Sequence, residues 1–245
     1  MGIRDQAVRA AKAIANSRAV IQRRFPDLAP ETLATYERVK RFTMTTPERV
    51  AALCDAVRHV DANGIAGAIV ECGVYRGGSA MAAALTCKTG RELWLYDTFE
   101  GMSAPTADDA RASDGRPAAA LLDGAAKGEL IWCYSSDSEV AANMRSTGYP
   151  EALVRLVKGK VEDTIPGVAP TEIAVLRLDT DWYESTRHEL THLYPRLAPG
   201  GVLIIDDYGY WAGARKAVDE YFAGSLFLSR IDGTGRIAVK PGVGR

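Results

Sequence analysis

Two short apolar runs that end in acids constrain this chain most: Arg177-Leu178-Asp179-Thr180-Asp181 and Leu203-Ile204-Ile205-Asp206-Asp207. Each has the pattern of a buried parallel strand that delivers charged side chains at its carboxyl end. Acids placed there point into the ligand crevice of an open α/β sheet, where a lone carboxylate is costly to desolvate. They therefore need a cation, and an oxygen-preferring metal such as Mg²⁺ would satisfy the four carboxylates. Taken singly, either strand end also reads as a solvated loop acid or a helix cap. Phosphatases, nucleases and sugar transferases could all use such a cluster, so the acids alone do not name a reaction.

A length of 245 residues suits one large domain better than two. Thirty basic residues stand against 31 acidic ones, a formal net charge of −1, and no basic stripe with interleaved aromatics occurs. That argues against a nucleic-acid partner. Cys54, Cys72, Cys87 and Cys133 are scattered without metal-ligand spacing, as expected of reduced thiols in a cytoplasm. No apolar run is long enough to span a bilayer, and Met1-Gly2-Ile3-Arg4-Asp5 lacks the apolar core of a secretion signal. The expectation is a soluble, cytoplasmic protein with no stable membrane insertion. The basic, weakly amphipathic stretch Ala7 to Arg24 reads as a surface or interface helix rather than a membrane anchor.

In chain order, residues 1–45 read as a helical arm broken at Phe25-Pro26 and Ala29-Pro30. Either the main domain or a second copy of the chain would supply its packing surface, which leaves a homo-oligomer through the arm open. The main domain is expected over residues 46–245, opening with Thr46 as N-cap and Pro47 at the first helical position. Ala68 to Cys72 is an apolar strand that passes through Gly73, Gly77 and Gly78 into the helix former Ala80 to Leu85. Such a turn lets backbone N–H groups approach a ligand, although its spacing is neither the dinucleotide fingerprint nor a phosphate loop. The next strand, Glu92 to Asp97, ends in an acid where sheet enzymes hold a ribose. The turn and Asp97 in their expected order point to a nucleoside ligand.

Regular alternation stops at Thr98, and an insertion of about 102–150 is expected to hold one helix, Ser138 to Arg145. Its charged residues Asp108, Asp109, Arg111, Asp114 and Arg116 read as a solvated surface. Strands follow at Val154 to Gly159, Ile173 to Leu178 and Val202 to Ile205, with helices at about Glu184 to Leu197 and Ala212 to Phe222. Two late strands, Ser225 to Ile231 and Arg236 to Lys240, flank a Gly233-Thr234-Gly235 turn. The pattern predicts a doubly wound α/β sheet, mostly parallel, closed by an antiparallel C-terminal hairpin.

Several stretches together resemble the macrocin O-methyltransferase family, which includes the sugar- and phenol-methylating enzymes of mycinamicin and novobiocin biosynthesis. They are Glu71-Cys72-Gly73-Val74-Tyr75-Arg76-Gly77-Gly78-Ser79, Tyr96-Asp97-Thr98-Phe99-Glu100-Gly101, Gly159-Lys160-Val161-Glu162-Asp163-Thr164 and Leu178 to Thr186, continued by Pro199-Gly200-Gly201 and Ile205 to Tyr208. The likeness covers about residues 40–240 and is poorest in the insertion. It implies an S-adenosylmethionine- and Mg²⁺-dependent O-methyltransferase of natural-product biosynthesis on a Rossmann-like sheet. By motif, Asp179, Asp206 and Asp207 would hold the metal and Asp181 would be the general base. Glu71, Gly73, Val74, Tyr75, Gly77 and Ser79 would hold the methionine part of the cofactor, with Asp97, Thr98 and Phe99 at its ribose. Val161 and Glu162 would lie by the adenine, Asp179 would also border the cofactor, and Thr43-Met44 would close over it. The acceptor would be a hydroxyl of a small molecule, a sugar on a glycosylated natural product first and a phenol or catechol second. A nucleoside-binding module without turnover is the contrasting reading, and a base beside a metal site argues against it.

The chemistry fits that division of labour. An alcohol is nearly un-ionised at neutral pH, so its oxygen needs a metal and a base before it can attack a sulfonium methyl. If Asp179 and Asp181 lie on an extended strand end, their spacing turns them to the same side. One rival motif, His188-Glu189-Leu190-Thr191-His192, spells a zinc-hydrolase signature. Pro195 and Pro199-Gly200 cut that helix short, and Leu190, Leu193 and Leu197 are expected to face the sheet instead.

Overall fold

A computed structural model describes residues 18–126 and 129–242. Its centre is a seven-stranded sheet in the order β3-β2-β1-β4-β5-β7-β6. The strands are β1 (Ala68–Cys72), β2 (Leu93–Asp97), β3 (Val154–Lys158), β4 (Ile173–Leu178), β5 (Leu197–Ile205), β6 (Ser229–Arg230) and β7 (Arg236–Val239). The first five are parallel, and β7 joins β5 antiparallel, with β6 antiparallel on its far side. Every residue of β1 and β4 is buried, as a parallel strand covered on both faces requires.

Alternate strand residues feed two apolar layers. On one face Ile69, Val175 and Ile204 pack with helices α2 (Pro30–Val39), α3 (Pro47–Ala62) and α4 (Gly78–Thr86). On the other, Val70, Leu176, Leu203 and Ile205 meet Leu190 and Leu193 of α8 (Tyr183–Leu193) and Val218 and Phe222 of α9 (Ala212–Phe222). The described part of the arm joins the first layer: Ile21 of α1 (Arg18–Arg24) and Leu33, Tyr36 and Val39 of α2 share a core with Val57. Most of the basic stretch Ala7 to Arg24 lies outside the described residues. Thr46 caps α3 as expected, accepting the Arg49 N–H at 3.3 Å with Pro47 behind it.

Four local expectations change, the first being that the helix read to about Leu197 stops at Leu193. Strand β5 begins at Leu197 rather than Val202, because Leu197 pairs with Ile173 of β4 and Gly200 and Gly201 exchange backbone hydrogen bonds with Lys240. The penultimate strand shrinks to Ser229–Arg230, since Ser225 turns its N–H back to Phe222 at the end of α9 and leaves Phe227 86 % exposed. The insertion carries α6 (Asp137–Arg145), as read, and also a short helix α5 (Ala118–Asp123), and a single turn α7 (Val161–Thr164) follows β3. Six residues are too few to show a helical period in sequence.

Candidate active site

The carboxyl ends of β1, β2, β4 and β5 open into one cavity of about 470 Å³, at the switch point where chain order reverses between β1 and β4. β1 leaves the sheet through Gly73, whose φ of +82° suits only glycine readily and whose Cβ, if present, would strike the carbonyl of Asp179. The turn can therefore lie directly against the end of β4. Asp97 then pins it: Oδ2 accepts the N–H groups of Val74 at 2.7 Å and Tyr75 at 3.0 Å, while Oδ1 accepts that of Phe99 at 2.8 Å. Burial pushes the Asp97 carboxyl up and these N–H groups pull it back.

Thr43, Met44, Gly73, Val74, Tyr75, Ser79, Asp97, Thr98, Val161 and Glu162 all line this half of the cavity. Three sequence-nominated residues do not. Phe99 is 2 % exposed in the core beneath, and Gly77 caps α4, where an added Cβ would meet Val140. Glu71 is 3 % exposed and receives Arg177 Nη1 at 2.5 Å below the cavity floor. In strand register it sits beside Arg177 of β4, so pairing with that cation, not ligand contact, accounts for a buried acid there.

The acid half is built around the same arginine. Carboxylate oxygens of Asp179, Asp206 and Asp207 lie within 4.8 Å of one another, the one such cluster among the described residues. Arg177 reaches Asp179 Oδ2 at 2.8 Å and Asp206 Oδ1 at 2.7 Å, and its Nη2 donates to Thr45 Oγ1 at 3.2 Å. Arg49 of α3 pairs with Asp206 and holds Asp232 at 3.0 Å. Arg177 is legible in the sequence as a charge inside an apolar strand, whereas Arg49, on an ordinary helix, gives no signal.

Two guanidinium groups do not balance this many acids. Burial and neighbouring acids push the carboxyls of Asp179 and Asp207 far up, against the pull of Arg177 and Arg49. Asp181 is pushed up to about 7, by burial first and by Asp179 second, while hydrogen bonds from neighbouring groups restrain it. Asp207 Oδ2 is buried without any hydrogen-bond partner. A hard divalent cation among Asp179, Asp206 and Asp207 would satisfy that oxygen and relieve the repulsion, so the residues present fit a metal.

Asp181 reaches the cavity by a different route from the expected one. β4 ends at Leu178, and Asp181 takes a left-handed φ of +68°, so a turn rather than strand alternation directs its carboxylate. Trp211 Nε1–H donates to Asp181 Oδ1 at 2.7 Å. Behind this turn Thr180 donates to Glu189 Oε1 at 2.9 Å. Glu189 is wholly buried, whereas His188 bonds the Ile165 carbonyl at 2.8 Å and lies 4.4 Å, ring to ring, from His192. The histidines and the glutamate thus face apart, and the zinc-hydrolase spelling has no site.

The remaining wall comes from the insertion and the residues just before α8 and α9: Met102, Leu122, Ile131, Trp182, Tyr210 and Trp211. The two indoles meet edge to face at 5.0 Å, with Ala118 and Leu122 of α5 packed behind them. Asp109, read from sequence as solvated, is instead 1 % exposed. It accepts the Tyr183 N–H at 2.8 Å and the Thr106 N–H at 2.7 Å, partners far away and close by in sequence that no local pattern connects.

The macrocin O-methyltransferase (TylF) family profile matches residues 8–236. The chain belongs to this family. It is 39 % identical over 217 residues, 86 % of this chain and 80 % of the relative, to an 8-demethyl-8-(2,3-dimethoxy-α-L-rhamnosyl)-tetracenomycin-C 4'-O-methyltransferase of Streptomyces olivaceus. It is 36 % identical to the mycinamicin III 3''-O-methyltransferase of Micromonospora griseorubida, over 73 % of this chain and 69 % of that one. The solved structure of the O-methyltransferase NovP superposes with a TM-score of 0.70 at 30 % identity, covering 82 % of this chain and 83 % of the other. As a macrocin-type enzyme the chain is an S-adenosylmethionine-dependent O-methyltransferase. No helix among the described residues is long and apolar enough to cross a membrane.

Proposed function

We propose that this enzyme methylates a sugar hydroxyl of a glycosylated natural product, with a divalent cation held by Asp179, Asp206 and Asp207 and with Asp181 as general base. The observation that carries the reading is the convergence, in one cavity, of the acid trio, a carboxyl pushed to about 7 and the turn pinned by Asp97. The relative from Streptomyces olivaceus is named for methylating a rhamnosyl-bearing substrate, which favours a sugar here too.

When bound, S-adenosylmethionine supplies an electrophilic methyl on a sulfonium, and a divalent cation stabilises negative charge growing on the acceptor oxygen. The chain's own residues do the rest. Gly73 to Tyr75, Ser79, Asp97 and Thr98 hold the donor end, with Val161 and Glu162 beside its base. Asp181 Oδ1 accepts the Trp211 N–H, which orients the carboxylate that takes the hydroxyl proton. A base with a pKa near the working pH is suited to that transfer. Met102, Leu122, Ile131 and the two indoles keep water away from the reacting oxygen and offer flat faces to an acceptor ring.

The test is a screen of rhamnosides, other glycosides and phenols with isotopically labelled methyl donor and Mg²⁺, read by mass spectrometry with and without a chelator. Methylation of a glycoside that stops in the chelator is expected. Methylation of phenols alone would overturn the sugar assignment, and full turnover in the chelator would remove the metal.

A further inference from the structure

We infer that Asp109, in the insertion, is a positioning residue that holds Asp181 in place for proton transfer. The inference rests on the reading of Asp181 as the base. Asp181 is flanked by two tryptophans, Trp182 next to it in the chain and Trp211 bonded to its carboxylate at 2.7 Å. The insertion grips both. Trp182 Nε1–H donates to the Ser103 carbonyl at 3.0 Å. Ala212 N–H donates to the Ala110 carbonyl and Ala112 N–H to the Tyr210 carbonyl, both at 2.8 Å, so the insertion brackets Trp211 on either side.

Asp109 is where the two grips meet. Its Oδ1 accepts the Tyr183 N–H at 2.8 Å, the first N–H of α8 and two residues beyond the base. Its Oδ2 accepts the N–H and hydroxyl of Thr106 at 2.7 and 3.0 Å, and its own carbonyl accepts the Ala118 N–H at 2.8 Å, which starts α5 behind the indoles. A buried carboxylate at a helix N-terminus is stabilised by the free N–H groups and dipole there.

Gly213 shows how closely the parts fit. A Cβ at that position would collide with Asp109 Oδ1 and lie 3.0 Å from the Tyr183 nitrogen. Without a side chain at 213, the first turn of α9 can lie against the Asp109–Tyr183 contact, two residues beyond Trp211. The left-handed turn at Asp181 is thereby held from both sides by residues that the cofactor half of the cavity does not touch. An insertion that shapes the acceptor wall is also what fixes the base, so a change in one is felt by the other.

Indole N–H resonances of ¹⁵N-labelled protein test this without an acceptor, the chain's four tryptophans being assigned through Trp→Phe variants. Asp181→Asn marks where the Trp211 signal moves when its carboxylate partner is lost. Asp109→Ala and Gly213→Ala are expected to displace both the Trp211 and Trp182 signals, to leave Trp94 in place, and to keep S-adenosylmethionine affinity within about twofold by calorimetry. Asp109→Asn, which retains an oxygen for Tyr183 N–H, is expected to fall between these and the native spectrum, and it carries the test with Gly213→Ala if Asp109→Ala does not fold. With a glycoside that passes the screen above, kcat should fall about ten- to a hundredfold in Asp109→Ala, the cost of roughly an ångström of misplacement, with the donor KM unchanged. Unmoved Trp182 and Trp211 signals in a folded variant, or loss of donor affinity together with turnover, would overturn the inference. Full turnover by Asp181→Asn would sink the base assignment instead, and the spectra would still report whether Asp109 positions that turn.

Discussion

The two halves of the cavity are built by opposite means. The half proposed to hold the donor is made from strand ends and backbone: Gly73 against the end of β4, and Asp97 tying together the N–H groups of Val74, Tyr75 and Phe99. The half proposed to face the acceptor is made from side chains on irregular or short segments: Trp182, Trp211, Leu122 and Met102. Backbone at a sheet end has its position set by the hydrogen-bonded ladder of every neighbouring strand, and it suits a ligand that does not vary. Side chains on an insertion can be exchanged without disturbing the sheet, which suits an acceptor that differs between relatives. Asp181 lies on the border, reached by a strand from one side and gripped by the insertion from the other.

The sharpest break between the halves should come at that border. Asp181→Asn is expected to lower kcat by about a thousandfold, within the range a general base contributes, while donor binding measured by calorimetry stays intact. Donor binding lost with turnover would place Asp181 in the donor half. Next in size is Asp97→Ala, which frees three backbone N–H groups at once. S-adenosylmethionine affinity should drop more than about tenfold, or 1.4 kcal/mol, with the acceptor KM nearly unchanged. An unaltered isotherm would show that the turn holds its shape without Asp97.

A smaller effect concerns protons. Asp181 and Glu71 sit at about 7 in the fold, above the ordinary carboxylate range, so the folded chain binds more protons than the unfolded one between about pH 4 and 7. The stability these groups lend is complete at the low end of that window and is lost as pH rises through about 7. Melting in a chelator from pH 5 to 8 should therefore show Asp181→Asn gaining on the native chain as pH rises, and Mg²⁺ should narrow the gap at pH 8. A gap that is independent of pH would contradict the burial of this carboxyl.

The mildest change is expected deep in the acceptor wall. Leu122→Ala should cost about 2–3 kcal/mol of stability in denaturant titrations and raise the acceptor KM severalfold, leaving the donor isotherm where it was. A shifted donor isotherm would mean that the two halves are less separate than their construction suggests.

Much of this was legible in the chain. Apolar runs ending in acids placed Asp179, Asp181, Asp206 and Asp207 in one crevice, because a parallel strand has only one end at which charge can meet a ligand. The glycine turn and Asp97 were readable as neighbours, and Asp97 does accept the N–H groups of Val74 and Tyr75, since residue type controls such local backbone geometry. The family likeness, carried by contiguous motifs, held for the same reason. The pairing of Glu71 with Arg177 was not legible, because a motif records that a residue is there, not which way its strand turns it.

Other features had no local cause. Arg49 approaches Asp206 from a helix 157 residues away, and Asp109 meets Tyr183 across 74. The sequence by itself determined the order of strands and helices, the end of the sheet that would bind, and the acids waiting there, all consequences of periodicity and backbone preference. Only the tertiary structure decided how those acids are shared out between Arg177, Arg49 and a candidate metal. It alone decided that Asp181 arrives on a left-handed turn held by Trp211, and that an aspartate from the insertion is buried behind it. Packing and charge balance are settled among residues brought together by the whole fold, and no stretch of chain contains that information on its own.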